Sequence, residues 1–229
     1  NIKIDTLKYL THAGGRLEKN KLKEIIKFCK KYSLRFFSMY GQTEASPRIS
    51  YLKPEFSQKK IGSIGKGIPG SKIYIIDSTS KKILKPFVEG EIICEGKNVF
   101  MGYSNNYKDL KKANEENYRL KTGDLGFFDK NGFFFITSRI SKIAKIFGNR
   151  VDLGALESLM SQKGYKVACL SDNKKVFIFI EKKYNKTNLI NTISKITNLN
   201  INSFELTKLK NLPRTANNKI SYHELKNRC

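Results

Sequence analysis

Soft metal ligands are scarce in this sequence. Cys29, Cys94, Cys169 and Cys229 are scattered over 229 residues with no C-x-x-C pair, and His12 and His223 are the only histidines. That spacing offers neither a zinc site nor a disulfide framework. Long apolar runs are missing too, and none approaches the roughly 18 consecutive residues a membrane span needs. Asn1-Ile2-Lys3-Ile4-Asp5 shows no basic segment followed by an apolar core like that of a secretory signal. A cytoplasmic protein without a membrane span is the expectation. Carboxylates are also few, 20 Asp and Glu against 44 Lys and Arg, a net charge of +24. Such an excess suits a polyanion such as nucleic acid, phosphates or an acidic surface. The basic residues form no single patch or tail and no groove-reading motif accompanies them, which favours compositional bias over a nucleic-acid surface. Attraction to phosphorylated ligands fits either.

What is present is a globular pattern: 39% of residues are hydrophobic, enough for one large domain or two small ones. Leu7 to Thr11 reads as a short strand running into a glycine turn. Residues 20–32 then place Leu22, Ile25, Ile26, Phe28 and Cys29 among lysines at a helical period, and Leu34 to Met39 is the next strand. Strand, helix, strand predicts a parallel sheet, whose ligands collect at the carboxyl ends of the strands. "HAGG" (12–15) and "YGQTEA" (40–45) both sit at such ends.

From residue 61 the texture changes. "IGSIGKGIPG" is turn-rich, Lys72 to Asp77 and Glu91 to Cys94 are strand candidates, and the polar stretch Tyr107 to Asn117 reads as helical. A small antiparallel sheet or barrel appended to the parallel one is predicted. "GFFDKNGFFFITSR" is a hairpin by its turn Asp129-Lys130-Asn131-Gly132, and "ISKIAKIFGNRV" fits a second, shorter one. Beyond it come a helix over Leu153 to Met160, strands over Lys166 to Leu170 and Val176 to Glu181, a helix over Leu189 to Thr197 and a strand over Phe204 to Leu209. Residues 141–229 are thus expected to form a compact α+β domain after an α/β domain over 1–140.

Four stretches hold unusual chemistry. In "YGQTE" a hydroxyl can donate to a phosphate oxygen, a carboxylate can hold Mg²⁺ and a tyrosine face can stack on a base. "KTGDLG" (121–126) sets Asp124 behind a glycine, where a carboxylate on a tight turn can accept both hydroxyls of a ribose. "SRISKIAKIFGNRV" (138–151) spaces Arg139, Lys142, Lys145 and Arg150 along an otherwise apolar stretch, and Arg139 offers a fork for ribose or phosphate oxygens. "LPRTANNKISYHEL" (212–225) places Lys219 in a loop after Pro213. Each alone is also what a turn or a solvated surface would show.

In this order the four resemble the motifs of the adenylate-forming superfamily: acyl- and aryl-CoA synthetases, adenylation domains of nonribosomal peptide synthetases, and firefly-type luciferases. "YGQTEA" is similar to its Tyr-Gly-x-Thr-Glu motif, and "TGDLGFFDKNGFFFITSR" to its Thr-Gly-Asp segment leading to Gly-Arg. "SRISKIAKIFGNRV" resembles its hinge motif and "LPRTANNK" its closing Pro-x-x-x-x-Gly-Lys motif. "GEIICEGKNVFMGY" (90–103) and "HAGG" match its Gly-Glu segment and its glycine turn at the adenine. The resemblance spans essentially the whole chain.

The resemblance implies ATP-dependent activation of a carboxylic acid to an acyl-adenylate, with transfer to CoA or to the phosphopantetheine of a carrier protein. Tyr40 would stack on adenine, with Gly14 and Gly15 letting the backbone lie close to the base. Gly41 and Gln42 would line the nucleotide, Thr43 would contact phosphates, and Glu44 would hold Mg²⁺. Asp124 and Arg139 would take the ribose. Lys219 would reach in from a small mobile C-terminal domain to bridge the carboxylate and the α-phosphate. That domain would rotate about Ser141 and bring Lys145 and Gly148 toward the thiol acceptor. Three positions depart from the pattern: Ser141 stands where Asp or Lys is frequent, Ser138 replaces a glycine, and Asn218 replaces the glycine before Lys219. The family's Ser/Thr/Gly-rich phosphate loop has no counterpart in these residues. A piece of a longer or split enzyme, not fully competent alone, is therefore expected, with an N-terminal half as a possible partner. The competing readings are a noncatalytic nucleotide- or carrier-binding module and a basic nucleic-acid-binding protein.

Overall fold

The computed structural model describes residues 6–15, 17–112, 117–172, 174–181, 185–216 and 218–229. It is mixed α/β, with several small sheets and few helices, in two compact units, Asn1–Thr137 and Ser138–Cys229.

The first unit begins with strand β1 (Tyr9–His12), helix α1 (Lys19–Lys31) and strand β2 (Arg35–Tyr40). α1 forms because Leu22, Ile26 and Cys29 recur at helical spacing and bury against Leu34 and Phe36. Lys30 and Lys31 occupy its last turn, where the helix dipole favours cations. The crossover makes β1 and β2 parallel, with Tyr9 opposite Arg35 and His12 opposite Ser38, so both strands end on the same side. Strand β3 (Ser50–Leu52) returns antiparallel, pairing Ser50 with Tyr40, and β4 (Lys66–Gly67) completes the order β1-β2-β3-β4.

A second sheet holds β5 (Ser71–Ile76), β6 (Lys82–Ile83), β7 (Gly90–Gly96), β8 (Arg119–Phe128) and β9 (Phe134–Arg139) in the order β6-β5-β7-β8-β9. It is an open sheet with β6 and β9 at its edges, not a barrel. Ile64, Ile75, Ile92 and Phe134 form one apolar cluster, and Ala45, Ile49, Cys94, Val99 and Leu120 another. Tyr40 packs against both, so the end of β2 is embedded where the two clusters meet.

Residues 63–65 stitch the two sheets together. The Ile64 N–H donates to the Phe134 carbonyl at 2.9 Å, and the Phe134 N–H donates to the Gly65 carbonyl at 3.0 Å. The Ser50 hydroxyl donates to the Ile64 carbonyl at 2.8 Å. Gly65 sits at φ +79°, and a Cβ there would stand 1.8 Å from the Tyr51 carbonyl oxygen. Gly65→Ala is therefore expected to cost about 2 kcal/mol or more in stability, read as a lowered urea midpoint; an unchanged midpoint would refute the stitch.

In the stretch expected to be helical, Tyr107 to Asn117, the described residues form a 3₁₀ turn over Tyr107–Lys111, capped by reciprocal bonds between Asn106 and Asp109. Residues 113–116 of that expectation lie outside the described residues. Polar residues with strong local side-chain bonding compete with helix propagation here.

The second unit opens with the hairpin β10 (Ile143–Ile146) and β11 (Asn149–Asp152), followed by α2 (Leu153–Gln162). Strands β12 (Val167–Ser171), β13 (Val176–Ile180) and β14 (Phe204–Lys208) form a sheet in that order. The first pair is antiparallel and the second parallel, joined by the crossover helix α3 (Lys186–Thr197). Alternation divides β13 between two faces. Val176, Ile178 and Ile180 join the large core with Leu156, Met160, Leu189 and Ile193, while Phe179 faces Ala168, Leu212 and Leu225. The second face is covered by a short helix, α4 (Tyr222–Lys226), too brief to leave a periodic signature in the sequence. No helix among the described residues is long and apolar enough to cross a membrane.

Candidate active site

β2 delivers Tyr40 to the carboxyl end of the parallel pair. The next residue has to be glycine, since a Cβ on Gly41 would stand 1.9 Å from the Pro47 carbonyl oxygen. The chain then makes a single 3₁₀ turn, Thr43–Ala45, with the Ala45 N–H donating to the Gln42 carbonyl at 2.9 Å. Thr43 is exposed on this turn and Glu44 half-buried. Asn98 braces the turn from beyond β7, its amide donating to the carbonyls of Ala45 at 3.2 Å and Arg48 at 2.8 Å.

Asp124 arrives from β8. Leu125 stands opposite Glu91 but Lys121 opposite Ile93, so Thr122–Asp124 bulge out of the ladder. The Thr-Gly-Asp stretch, expected as a tight turn, is thus a bulge inside a ten-residue strand. Its turn chemistry is used to add residues to one strand rather than to reverse the chain. Gly123 at φ +70° permits it, and its N–H donates to Glu91 Oε1 at 3.1 Å. The buried Thr122 hydroxyl donates to the Ile92 carbonyl at 2.8 Å and accepts from the Asp124 N–H at 3.1 Å.

The bulge brings Asp124, only 8% exposed, onto Tyr40: the phenol donates to Asp124 Oδ2 at 2.6 Å across 84 residues of chain. Gln42 Nε2 donates to the Thr122 carbonyl at 3.0 Å and approaches the Tyr40 oxygen at 3.4 Å. Burial, and after it the Asp124 charge, push the Tyr40 phenol well above its ordinary range, so it remains a donor through neutral pH. On the other side of the loop, Tyr103 donates to Glu44 Oε1 at 2.5 Å, and the Phe100 N–H donates to the Glu44 carbonyl at 2.9 Å. Gly14, at φ +90°, follows the neighbouring strand end, and a Cβ on it or on Gly15 would meet nothing within 4 Å.

Tyr40, Gly41, Gln42, Thr43, Glu44 and Asp124 are therefore gathered on one loop system of the first unit, with Gly14 and Gly15 after the adjacent strand. Three supporting residues had not been singled out: Thr122, Asn98 and Tyr103. Each lay inside a quoted motif, and only their partners reveal their use. The remaining candidates belong to the second unit. Arg139 ends β9 and is exposed, and Ser141 lies in the 3₁₀ turn Ile140–Lys142. Lys145 pairs across from Arg150, with Gly148 at the hairpin tip at φ +82°. Lys219 is exposed on the second arm of a small hairpin joined by the Arg214–Ile220 bridge. The Thr215 N–H donates to the Lys219 carbonyl at 2.7 Å. Asn218 takes φ +59°, a left-handed conformation that asparagine tolerates.

Among the described residues no group of three or more His, Cys, Asp or Glu side chains could cage a metal ion. A lone carboxylate can still serve Mg²⁺, which is commonly bound by one or two carboxylates plus substrate phosphates and water. Glu44, on its braced turn, fits that donor set.

The AMP-binding enzyme family model matches residues 3–104. The 2-succinylbenzoate–CoA ligase of Bacillus pumilus is 37% identical over 124 residues, 54% of this chain and 25% of the relative. The o-succinylbenzoate CoA synthetase of Bacillus subtilis in complex with the acyl-adenylate OSB-AMP superposes with a TM-score of 0.73 at 27% identity, over 97% of this chain and 46% of that one. The same synthetase with ATP and magnesium ion gives 0.71, again at 27% identity, over 97% and 47%. The chain spans less than half the length of these relatives.

Proposed function

We propose that this chain belongs to the adenylate-forming superfamily and supplies the nucleotide-holding and lid portions of an AMP-forming acid–thiol ligase. Residues 1–140 would be the C-terminal part of the large domain and 141–229 the mobile lid. The observation that carries this reading is the 2.6 Å hydrogen bond from Tyr40 to Asp124, which joins the Tyr-Gly-Gln-Thr-Glu turn to the Thr-Gly-Asp bulge in one site.

In the reaction, an oxygen of the acid's carboxylate attacks the α-phosphorus of ATP, the bond to the bridging oxygen breaks, and pyrophosphate leaves. Asp124 and Arg139 hold the ribose hydroxyls, and Tyr40, Gly14 and Gly15 shape the adenine side. Thr43 donates to phosphate oxygens, and Glu44 would hold the Mg²⁺ that offsets phosphate charge. Lys219 neutralises charge as the two anions meet, which is stabilisation concentrated in the transition state. Rotation about Ser141 would then turn Lys145 and Gly148 toward the thiol of CoA or phosphopantetheine.

The residues supplied here address base, ribose and α-phosphate. The chain is therefore expected to bind AMP about as tightly as MgATP in calorimetric titration; failure to bind either would overturn the proposal. Tyr40→Phe keeps the ring in its apolar clusters and removes the donor to Asp124, together with the long 3.4 Å contact from Gln42 Nε2. AMP binding should weaken about tenfold, the worth of one hydrogen bond to a charged group. Unchanged affinity would mean that the Tyr40–Asp124 bond does not shape the ribose site. 2-Succinylbenzoate, the acid named for the relatives, is the first to assay for adenylate formation.

A further inference from the structure

In the second unit one carboxylate collects donors from three separate segments. Glu157, on α2, accepts from Lys142 Nζ at 2.9 Å, from the Cys169 N–H of β12 at 2.7 Å, and from the Tyr222 hydroxyl of α4 at 2.9 and 3.0 Å. The Lys142 ammonium lies 3.4 Å from the centroid of the Tyr222 ring. The pair is well removed from water, with side-chain exposures of 21% for Lys142 and 17% for Glu157. Burying these charges is favourable only with every partner in place, so the cluster resists partial opening.

Its position in the chain gives it a use. Lys142 directly follows Ser141 and precedes β10. Tyr222 is the third residue after Lys219 and the first of α4. The hairpin that carries Lys219 stands on two feet: at one, the Leu212 N–H donates to Glu181 Oε1 at 3.0 Å, and at the other the Ser221 N–H donates to the Pro213 carbonyl at 2.8 Å, just before Tyr222. We propose that Glu157 is a positioning residue that couples the Lys219 hairpin to the segment following Ser141, so that the two move as one rigid piece. A lysine that must enter and leave a site with its domain cannot trail on a loose loop. The Lys142–Glu157–Tyr222 clamp removes that slack at the point where the rotation begins.

The inference rests on the assignment of Lys219 given above, and its test is independent of activity. Amide hydrogen exchange of the full chain reads both segments without substrate. Lys142→Met is expected to raise exchange about tenfold or more at amides of 212–222 as well as at 140–148, with Val176–Ile180 at the sheet centre unchanged. Tyr222→Phe, which keeps the ring and loses only the hydroxyl, should do the same to a smaller degree. Lys142→Arg should restore protection. Loosening confined to 140–148 would overturn the coupling, and so would a rise that extends through Val176–Ile180, since that reports general destabilisation. Loss of protection at 212–222 with normal adenylate formation in the complete enzyme would overturn the positioning role of Glu157, whereas the assignment of Lys219 itself stands or falls with Lys219→Ala.

Discussion

Asp124→Ala is expected to weaken AMP binding about 100-fold, roughly 3 kcal/mol, because hydrogen bonds to a carboxylate contribute about 1.5–3 kcal/mol each and two ribose hydroxyls are to be held. The side chain is nearly buried and already oriented by Tyr40, so little ordering is needed when a ribose arrives. Truncation also leaves the Tyr40 hydroxyl without the 2.6 Å acceptor it now has. Asp124→Asn, of similar shape, separates the lost charge from the lost volume and should retain part of the affinity. Calorimetric titration with AMP is the measurement, with thermal melting to show that the variant is folded. A folded Asp124→Ala chain that binds AMP as tightly as the parent would remove the ribose assignment.

Lys219→Ala should act on rate rather than on binding. In the complete enzyme, single-turnover formation of acyl-adenylate should fall by about 10²–10³, the usual cost of removing one group that stabilises developing charge. AMP affinity should change little, because the ammonium is needed where two anions are forced together and not where one is held. Lys219 is exposed in the described structure and its hairpin is fixed by backbone bonds, so truncating the side chain should leave the fold intact. Equal rates in parent and variant would favour the noncatalytic binding module over the ligase.

Much of the local structure was legible beforehand for short-range reasons. Leu22, Ile26 and Cys29 recur within two turns, so α1 could be read without knowing what it packs on. The apolar run of β13 and the Asp129–Gly132 turn are equally local, as is the strand–helix–strand order that makes β1 and β2 parallel. The two-residue strands β4 and β6 and the five-residue helix α4 escaped because a single alternation, or little more than one helical turn, does not stand out as a periodic pattern.

The sequence by itself determined which chemical groups this chain brings and in what order, from Tyr40 to Lys219, since a motif is a matter of adjacent residues. The meeting of those groups was decided only in three dimensions. Whether Asp124 caps a turn or swings out of a strand depends on the register of β8 against Glu91 and Ile93, which no neighbour of Asp124 specifies. Tyr40 finds it across 84 residues because two sheets share an apolar junction at the end of β2. Glu157 is likewise unremarkable in the helix that carries it, and acquires its role only when Lys142, Cys169 and Tyr222 fold around one carboxylate that must have all its partners to be buried.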